Sequence, residues 1–121
     1  AKRNPTTRQS ADHSMVYIIA RLLRNAMNTQ QGDSLESLWR ETMLMPEDYD
    51  DAALADAPTR ELMELIEFQH GGPEYDANYP EGIPTSVHLT TESGTVETDL
   101  VMFPIGHAKN NGESLPSLLQ F

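Results

Sequence analysis

Residues 7–28 read TRQSADHSMVYIIARLLRNAMN, a polar lead-in that runs directly into an apolar helix. From Met15 onward the apolar residues recur every three or four positions, which is the spacing of one buried helical face. Ser10 and Asp12 are both of the residue types that cap a helix N-terminus. The pattern therefore predicts a long first helix over about residues 12–28, capped by Ser10 or Asp12.

The start of this helix suits a small anion. The backbone N–H groups of the first turn and the positive end of the helix dipole point towards it. His13 adds a ring that exchanges a proton near neutral pH, and Asp12 can orient that ring. The spacing also fits a histidine that only caps the helix or packs in the core.

The charge composition indicates which classes of binding partner the chain can have. The chain has 121 residues and a formal net charge of -11, which allows one modest core and excludes nucleic acid as a partner. Residues 1–24 are the exception, because five basic side chains stand there against Asp12 alone. A small anionic ligand would therefore bind at the N-terminal end. Arg21 and Arg24 also fit a simple complement to the C-terminal end of the helix dipole.

Several kinds of site are missing from the sequence. There is no cysteine, which excludes disulfides and thiolate chemistry and fits a cytoplasmic protein, or a mitochondrial matrix protein in a eukaryote. The four histidines lack the spacing of a helical zinc site, so we predict no metal. No apolar run approaches the roughly 18 residues of a membrane span, so we predict no membrane partner. The Ala1 start and polar lead-in suggest a fragment of a longer chain.

The remaining pattern predicts an α+β fold, with a long amphipathic helix and short helices packed on a small antiparallel sheet that contains a β-hairpin. Residues 1–121 are expected to form a single small domain. Its predicted segments are an irregular lead-in at 1–11, a mainly helical region at 12–66, a loop at about 70–84, a β-hairpin at 84–103 and a short helix at 114–119. Within the helical region, Trp39 is interpreted as a core residue, and the acidic stretch 46–51 as a solvated helix start.

Two strings of residues resemble the MmgE/PrpD family. The first is NPTTRQSADHSMVY at 4–17, in which Thr7 and the run from Ala11 to Ser14 match a Thr-x-x-x-Ala-Asp-His-Ser pattern. The second is YPEGIP at 79–84, followed by the hairpin and by FPIGH at 103–107. Relatives have Tyr-Pro-x-Gly-His at the last string, so Phe103 replaces a tyrosine here.

The resemblance implies a C-terminal part of a two-domain enzyme whose active site lies in a cleft between a large helical domain and a smaller α+β domain. It implies proton abstraction beside a carboxylate of a small tricarboxylate substrate, with no metal or organic cofactor. The partners implied are the missing N-terminal helical domain and a second copy in a homodimer. His13 is then the candidate catalytic residue, and the candidate substrate-binding residues are Arg3, Arg8, Asp12 and Ser14.

The leading hypothesis is the C-terminal domain of a lyase similar to 2-methylcitrate dehydratase, a carbon–oxygen lyase of propionate catabolism in the methylcitrate cycle. A related cis-aconitate decarboxylase or epimerase would share the same site. The alternative from another class is a non-catalytic dimerisation or scaffold module, which exposed apolar surface on the first helix or the hairpin would favour. We expect the isolated chain to be inactive, because one wall of a cleft cannot position a substrate and exclude water.

Overall fold

A computed structural model of the chain describes residues 3–29, 34–104 and 107–110. Its elements are α1 (Arg8–Ala11), α2 (Met15–Asn28), α3 (Leu35–Thr42), a 3-10 helix (Pro46–Tyr49), α4 (Asp51–Leu54), α5 (Ala57–Glu64), α6 (Gly72–Asn78), β1 (His88–Thr91) and β2 (Gly94–Glu97). This content confirms the α+β class. No helix in these ranges combines the length and the hydropathy that a bilayer crossing requires. The chain divides into two compact units, Ala1–Phe68 and Gln69–Phe121.

The lead-in is not irregular throughout, contrary to the prediction for residues 1–11. Helix α1 begins after Thr7, whose hydroxyl accepts a hydrogen bond from the Ser10 amide at 3.2 Å. The Ser10 hydroxyl accepts one from the Thr7 amide at 3.0 Å. This reciprocal capping box satisfies two backbone donors and stabilises a single turn.

The long helix α2 begins at Met15 rather than at residue 12. Its N-cap is Ser14, which has extended backbone angles and whose hydroxyl accepts a hydrogen bond from the Tyr17 amide at 3.3 Å. Neither Ser10 nor Asp12 caps α2, because Ser10 is used in α1 and Asp12 ends that helix. The prediction of a long amphipathic helix is confirmed, with a corrected start and cap.

The core of the first unit is small and comes from four helices. The buried apolar residues that pack together as one cluster are Ala11 of α1, Val16, Tyr17 and Ala20 of α2, Leu54 of α4 and Met63 of α5. Trp39 is not among them. It is 53% exposed on α3, so its interpretation as a core residue is wrong.

A buried polar network joins α2 to the 3-10 helix and to α5. Arg21 Nε donates to Asp48 Oδ1 at 2.8 Å, and Asn25 Nδ2 donates to the same oxygen at 3.2 Å. Arg24 Nε lies 3.4 Å from Asp56 Oδ2. The two arginines thus pair with carboxylates instead of only complementing the helix dipole, and Asp48, at 8% exposed, is not a solvated acid.

The second unit begins with a helix that the sequence analysis assigned to a loop. Helix α6 starts at Gly72, which has φ +69°, a conformation that favours glycine. Pro73 and Glu74 occupy its first turn, where the fixed φ of proline and a negative charge are both favourable. The Gly-Pro-Glu sequence at 72–74 therefore indicates the start of a helix, although this segment was predicted to be a loop.

The predicted hairpin is present, although its regular strands are shorter than 84–103. Strand β1 pairs with β2 in antiparallel register, with Leu89 opposite Val96 and His88 opposite Glu97. Gly94 has φ +132° at the turn. A separate bridge between Thr85 and Val101 continues the pairing. The predicted helix at 114–119 lies outside the described residues.

Candidate active site

A surface pocket of about 400 Å³ lies on the first unit beside the start of α2. It is lined by Arg3, His13, Met15, Val16 and Phe68. Two basic residues and three apolar residues therefore line the same open depression. The pocket is large enough for a small organic acid and combines a charge that binds carboxylates with a group that transfers protons.

The turn between α1 and α2 holds His13 at the surface. Its side chain is 75% exposed, and its Nδ1 contacts Asp12 Oδ1 and lies 3.2 Å from the Gln9 carbonyl oxygen. Both neighbours are acceptors, so we assign the proton of the neutral ring to Nδ1. Nε2 is then the basic nitrogen, and Asp12 holds the ring in one orientation.

Arg3 is hydrogen-bonded to the C-terminal segment of the same unit. Its Nη2 donates to the Ile66 carbonyl oxygen at 2.9 Å. This bond joins the lead-in to the segment after α5 and brings Arg3 and Phe68 to the same pocket. A guanidinium has five N–H donors, so this bond is compatible with a carboxylate bound to the same group.

The other predicted site residues take different positions. Asp12 contacts the His13 ring, and Arg8 is an exposed residue of the short helix α1. Ser14 is buried, and its hydroxyl accepts a hydrogen bond from the Tyr17 amide, so it caps the N-terminus of α2. The structure thus places Arg3 and His13 in the pocket lining, with Asp12 behind His13. The catalytic role of His13 and the substrate-binding roles of Arg3, Arg8, Asp12 and Ser14 all stay predictions.

Three pocket residues were not predicted. Met15 and Val16 directly follow the Asp-His-Ser string, and their place in the apolar pattern assigned them to the helix alone. Phe68 is distant in sequence, and no local signal connects it with His13. Within the described residues, no group of three or more His, Cys, Asp or Glu side chains is arranged to hold a metal ion.

The second motif forms a packed cluster in the second unit. Gly82 is buried, and a Cβ at this position would lie 2.6 Å from Met102 Sδ and 3.2 Å from Phe103 Cε1. The Phe103 ring stacks on His107 at 5.1 Å between centroids. A side chain at position 82 would therefore force the Met102 and Phe103 side chains to shift.

An ion pair closes this cluster. Lys109 Nζ lies 2.5 Å from Glu81 Oε2, and this hydrogen bond, together with the lysine charge, lowers the pKa of the Glu81 carboxyl. His107 Nδ1 accepts a hydrogen bond from the Lys109 amide at 3.1 Å. His70 Nδ1 accepts in the same way from the Gly72 amide at 3.0 Å. Both imidazoles therefore accept hydrogen bonds from nearby backbone amides.

A comparison with protein families agrees with the second of the two motifs. The family model described as the MmgE/PrpD C-terminal domain matches residues 38–120, which is more than half of the chain. The match includes the second motif and begins after the first, so the likeness of residues 4–17 rests on their sequence alone. No curated protein and no solved structure matches the chain. The chain belongs to the MmgE/PrpD family and contains its C-terminal domain.

Proposed function

We propose that the chain is the C-terminal part of a lyase similar to 2-methylcitrate dehydratase, which removes water from a small tricarboxylic acid. The observation that carries the proposal is the shared pocket of Arg3 and His13. Arg3 pairs with a substrate carboxylate, and His13 positions the substrate or gives a proton to the leaving hydroxyl. Asp12 orients the imidazole. A helical domain outside this chain supplies the opposite wall and the other acid and base groups.

The reaction needs these features for physical reasons. A proton leaves the carbon beside a carboxylate, the C–O bond breaks, and the departing oxygen takes up a proton to leave as water. A paired carboxylate disperses the negative charge that develops next to it. A positioned imidazole typically contributes about 10²–10⁴-fold to such a proton transfer.

The test is His13→Asn in the full-length protein that contains this sequence. We expect kcat for dehydration of 2-methylcitrate to fall by about 10²-fold or more, because the proton-transfer group is removed. His88→Asn is the matched control, since His88 is an exposed imidazole on the hairpin. Unchanged kinetics in a correctly folded His13→Asn variant would remove His13 from the mechanism.

A non-catalytic association module is the second candidate, and exposed apolar residues on the hairpin favour it. Leu89 and Val96 lie opposite each other and are 41% and 68% exposed. Sedimentation of the chain measures self-association, and calorimetric titration of tricarboxylate into the full-length protein that contains it measures the ligand site, so together they separate the candidates. Tight self-association without a ligand effect favours the module. A saturable tricarboxylate site that is lost on changing His13 or Arg8 favours the enzyme.

A further inference from the structure

Arg3 reaches the pocket from the segment that precedes α1. Residues 3–7 belong to no helix or strand, so their backbone is not held by a regular hydrogen-bond ladder. Pro5 is nevertheless fully buried. The place of Arg3 therefore depends on the groups to which this segment bonds.

One side chain of α5 binds the segment at two points directly after Arg3. Arg60 Nη1 donates to the Asn4 side-chain oxygen at 2.7 Å, and Arg60 Nη2 donates to the Pro5 carbonyl oxygen at 2.7 Å. Arg60 Nε donates to the Leu54 carbonyl oxygen at 2.7 Å, which fixes the guanidinium to the end of α4. A planar guanidinium with five N–H donors can hold three acceptors at once.

The partners of Arg60 differ from those of the arginines on α2. Arg21 and Arg24 pair with carboxylates, whereas Arg60 binds two backbone carbonyls and one amide oxygen. Within residues 3–29, 34–104 and 107–110, no carboxylate lies at ion-pair distance from Arg60. Its contribution in this part of the chain is therefore a bridge between α4 and the segment at residues 4–5.

A second anchor acts on the Arg3 side chain itself. Arg3 Nη2 donates to the carbonyl oxygen of Ile66, which lies two residues after the end of α5. The backbone next to Arg3 and the Arg3 guanidinium are thus both held by α5 and the residues that follow it.

We propose that Arg60 is a positioning residue, which holds Arg3 at the pocket by fixing the two residues that follow Arg3. This inference rests on the proposed function, because it concerns the guanidinium that binds the substrate carboxylate there. Arg60 is not among the described residues that line the pocket, so it acts through Arg3 and does not touch the substrate.

The physical basis is the entropy that substrate binding would otherwise remove. A substrate that has to immobilise one long side chain typically binds roughly threefold to tenfold more weakly than one that meets the side chain already in place. Arg60→Lys keeps the positive charge, but a single ammonium nitrogen cannot span acceptors on two separate segments. A loss of activity in this variant therefore reports the position of Arg3 and not the charge near the pocket.

The experiment is a double-mutant cycle in the full-length protein that contains this sequence, with kcat/KM for dehydration of 2-methylcitrate as the measurement. Arg3→Met should lower kcat/KM by about tenfold or more, because the substrate loses a charged hydrogen-bond donor. Arg60→Lys alone should lower it roughly threefold to tenfold. In the Arg3→Met background, Arg60→Lys should change it by less than about twofold, because no guanidinium remains to be positioned.

Arg24→Lys is the matched control. Arg24 is a partly buried arginine of the same unit, and its partners Asp56 and Asn28 both lie outside residues 3–7. Its replacement should lower the urea midpoint and leave kcat/KM within about twofold. If Arg60→Lys does not fold by circular dichroism, Asn4→Ala takes its place, since it removes one acceptor and keeps both carbonyl bonds of Arg60. We expect Asn4→Ala to lower kcat/KM by about twofold.

The outcomes separate this inference from the function on which it rests. A loss in Arg60→Lys, or in Asn4→Ala in its place, that disappears in the Arg3→Met background while Arg24→Lys keeps its activity confirms the inference. An equal loss in both backgrounds, no loss, or the same loss in Arg24→Lys overturns it and leaves the proposed function intact. If Arg3→Met itself keeps the original kcat/KM, Arg3 does not bind the substrate, and its role in the proposed function fails together with this inference.

Discussion

Replacing Asp48 by alanine tests whether the buried ion network holds the first unit together. Asp48 Oδ1 accepts from Arg21 Nε at 2.8 Å and from Asn25 Nδ2 at 3.2 Å, and Oδ2 accepts from the Met45 amide at 2.8 Å. The substitution removes all three acceptor contacts and leaves the Arg21 guanidinium largely buried. Arg21 Nη1 still donates to Thr59 Oγ1 at 3.3 Å and lies 3.6 Å from Asp56 Oδ2, and these contacts limit the loss of stability.

Breaking one side of a buried ion pair typically costs about 3–5 kcal/mol. Because Arg21 keeps its contacts with Thr59 and Asp56, we expect Asp48→Ala to lower the free energy of unfolding by about 3 kcal/mol, the lower end of that range. Urea unfolding followed by circular dichroism should therefore show a midpoint lower by about 1–3 M, given the slopes of small proteins. Asp48→Asn keeps the size and one acceptor oxygen, so it should cost less and fold where the alanine variant does not.

Glu47→Gln is the matched control, because Glu47 is an exposed acid on the same 3-10 helix. We expect it to change the free energy of unfolding by no more than about 0.5 kcal/mol. The double variant Arg21→Met with Asp48→Ala should cost less than the sum of its single variants, because the uncompensated guanidinium is then absent. A cost for Asp48→Ala no larger than that of Glu47→Gln would refute the structural role of the network.

Two further predictions concern acid and packing. Burial alone would raise the pKa of the Asp48 carboxyl, but hydrogen bonds from the Met45 amide, Arg21 and Asn25 outweigh it and lower the pKa. The hydroxyl of Thr59 lowers the pKa of Asp56. The unfolded pKa of an aspartate is about 3.9. Because the pKa values of Asp48 and Asp56 are lower than this in the folded protein, the two carboxylates stabilise the fold at any pH above about 3.9, and that stabilisation is lost as the pH falls through the folded-state values. The urea midpoint should therefore be constant from about pH 5 to 7 and drop below about pH 4; a midpoint that does not drop there would contradict the shifts. Gly82→Ala should weaken the second unit by about 1 kcal/mol, the low end of the range for overpacking, because its Cβ would displace the flexible Met102 side chain. Faster amide exchange across the hairpin would report the loss, and unchanged exchange would contradict the close packing.

The elements that could be predicted are those whose signals are local. Helix α2 follows from an apolar repeat of three and four residues, and the hairpin from alternating residues around Gly94. Local signals were also misread at two places. Thr7 and Ser10 form a capping box in which serine replaces the usual Glu or Gln, so α1 was missed. The Gly-Pro-Glu start of α6 was assigned to a loop.

The polar network could not be predicted, because its partners are far apart in the chain. Arg21 and Asp48 are 27 positions apart, and the spacing of α2 shows only that Arg21 borders the buried face. The acidic stretch around Asp48 has the composition of a solvated helix start. Only the packing of α2 against the 3-10 helix reveals that one of its acids is buried and paired.

The candidate site also contains residues that the sequence predicted and residues that it did not. His13 was identified from its neighbours in sequence, because an imidazole beside a helix start is a local arrangement. The apolar half of the pocket needs Phe68, and Arg3 is held by a bond to Ile66, so both depend on how the lead-in packs across the end of the unit. Both polar residues of the pocket, Arg3 and His13, were therefore predicted from the sequence, whereas the apolar residues that share the pocket with them, Met15, Val16 and Phe68, were not.

Helix α2 contributes to the ion network and to the pocket lining at different places along its length. Tyr17 donates to the Asp48 carbonyl oxygen, and Arg21 and Asn25 donate to its carboxylate, so positions one turn apart face the 3-10 helix. The pocket uses the first turn, at Met15. Six residues of helix separate Met15 from Arg21, a rise of about 9 Å, at which substitutions are usually independent. The ion network therefore fixes the position of the helix without occupying the pocket, and the exposed Met15 can be substituted without disturbing that network.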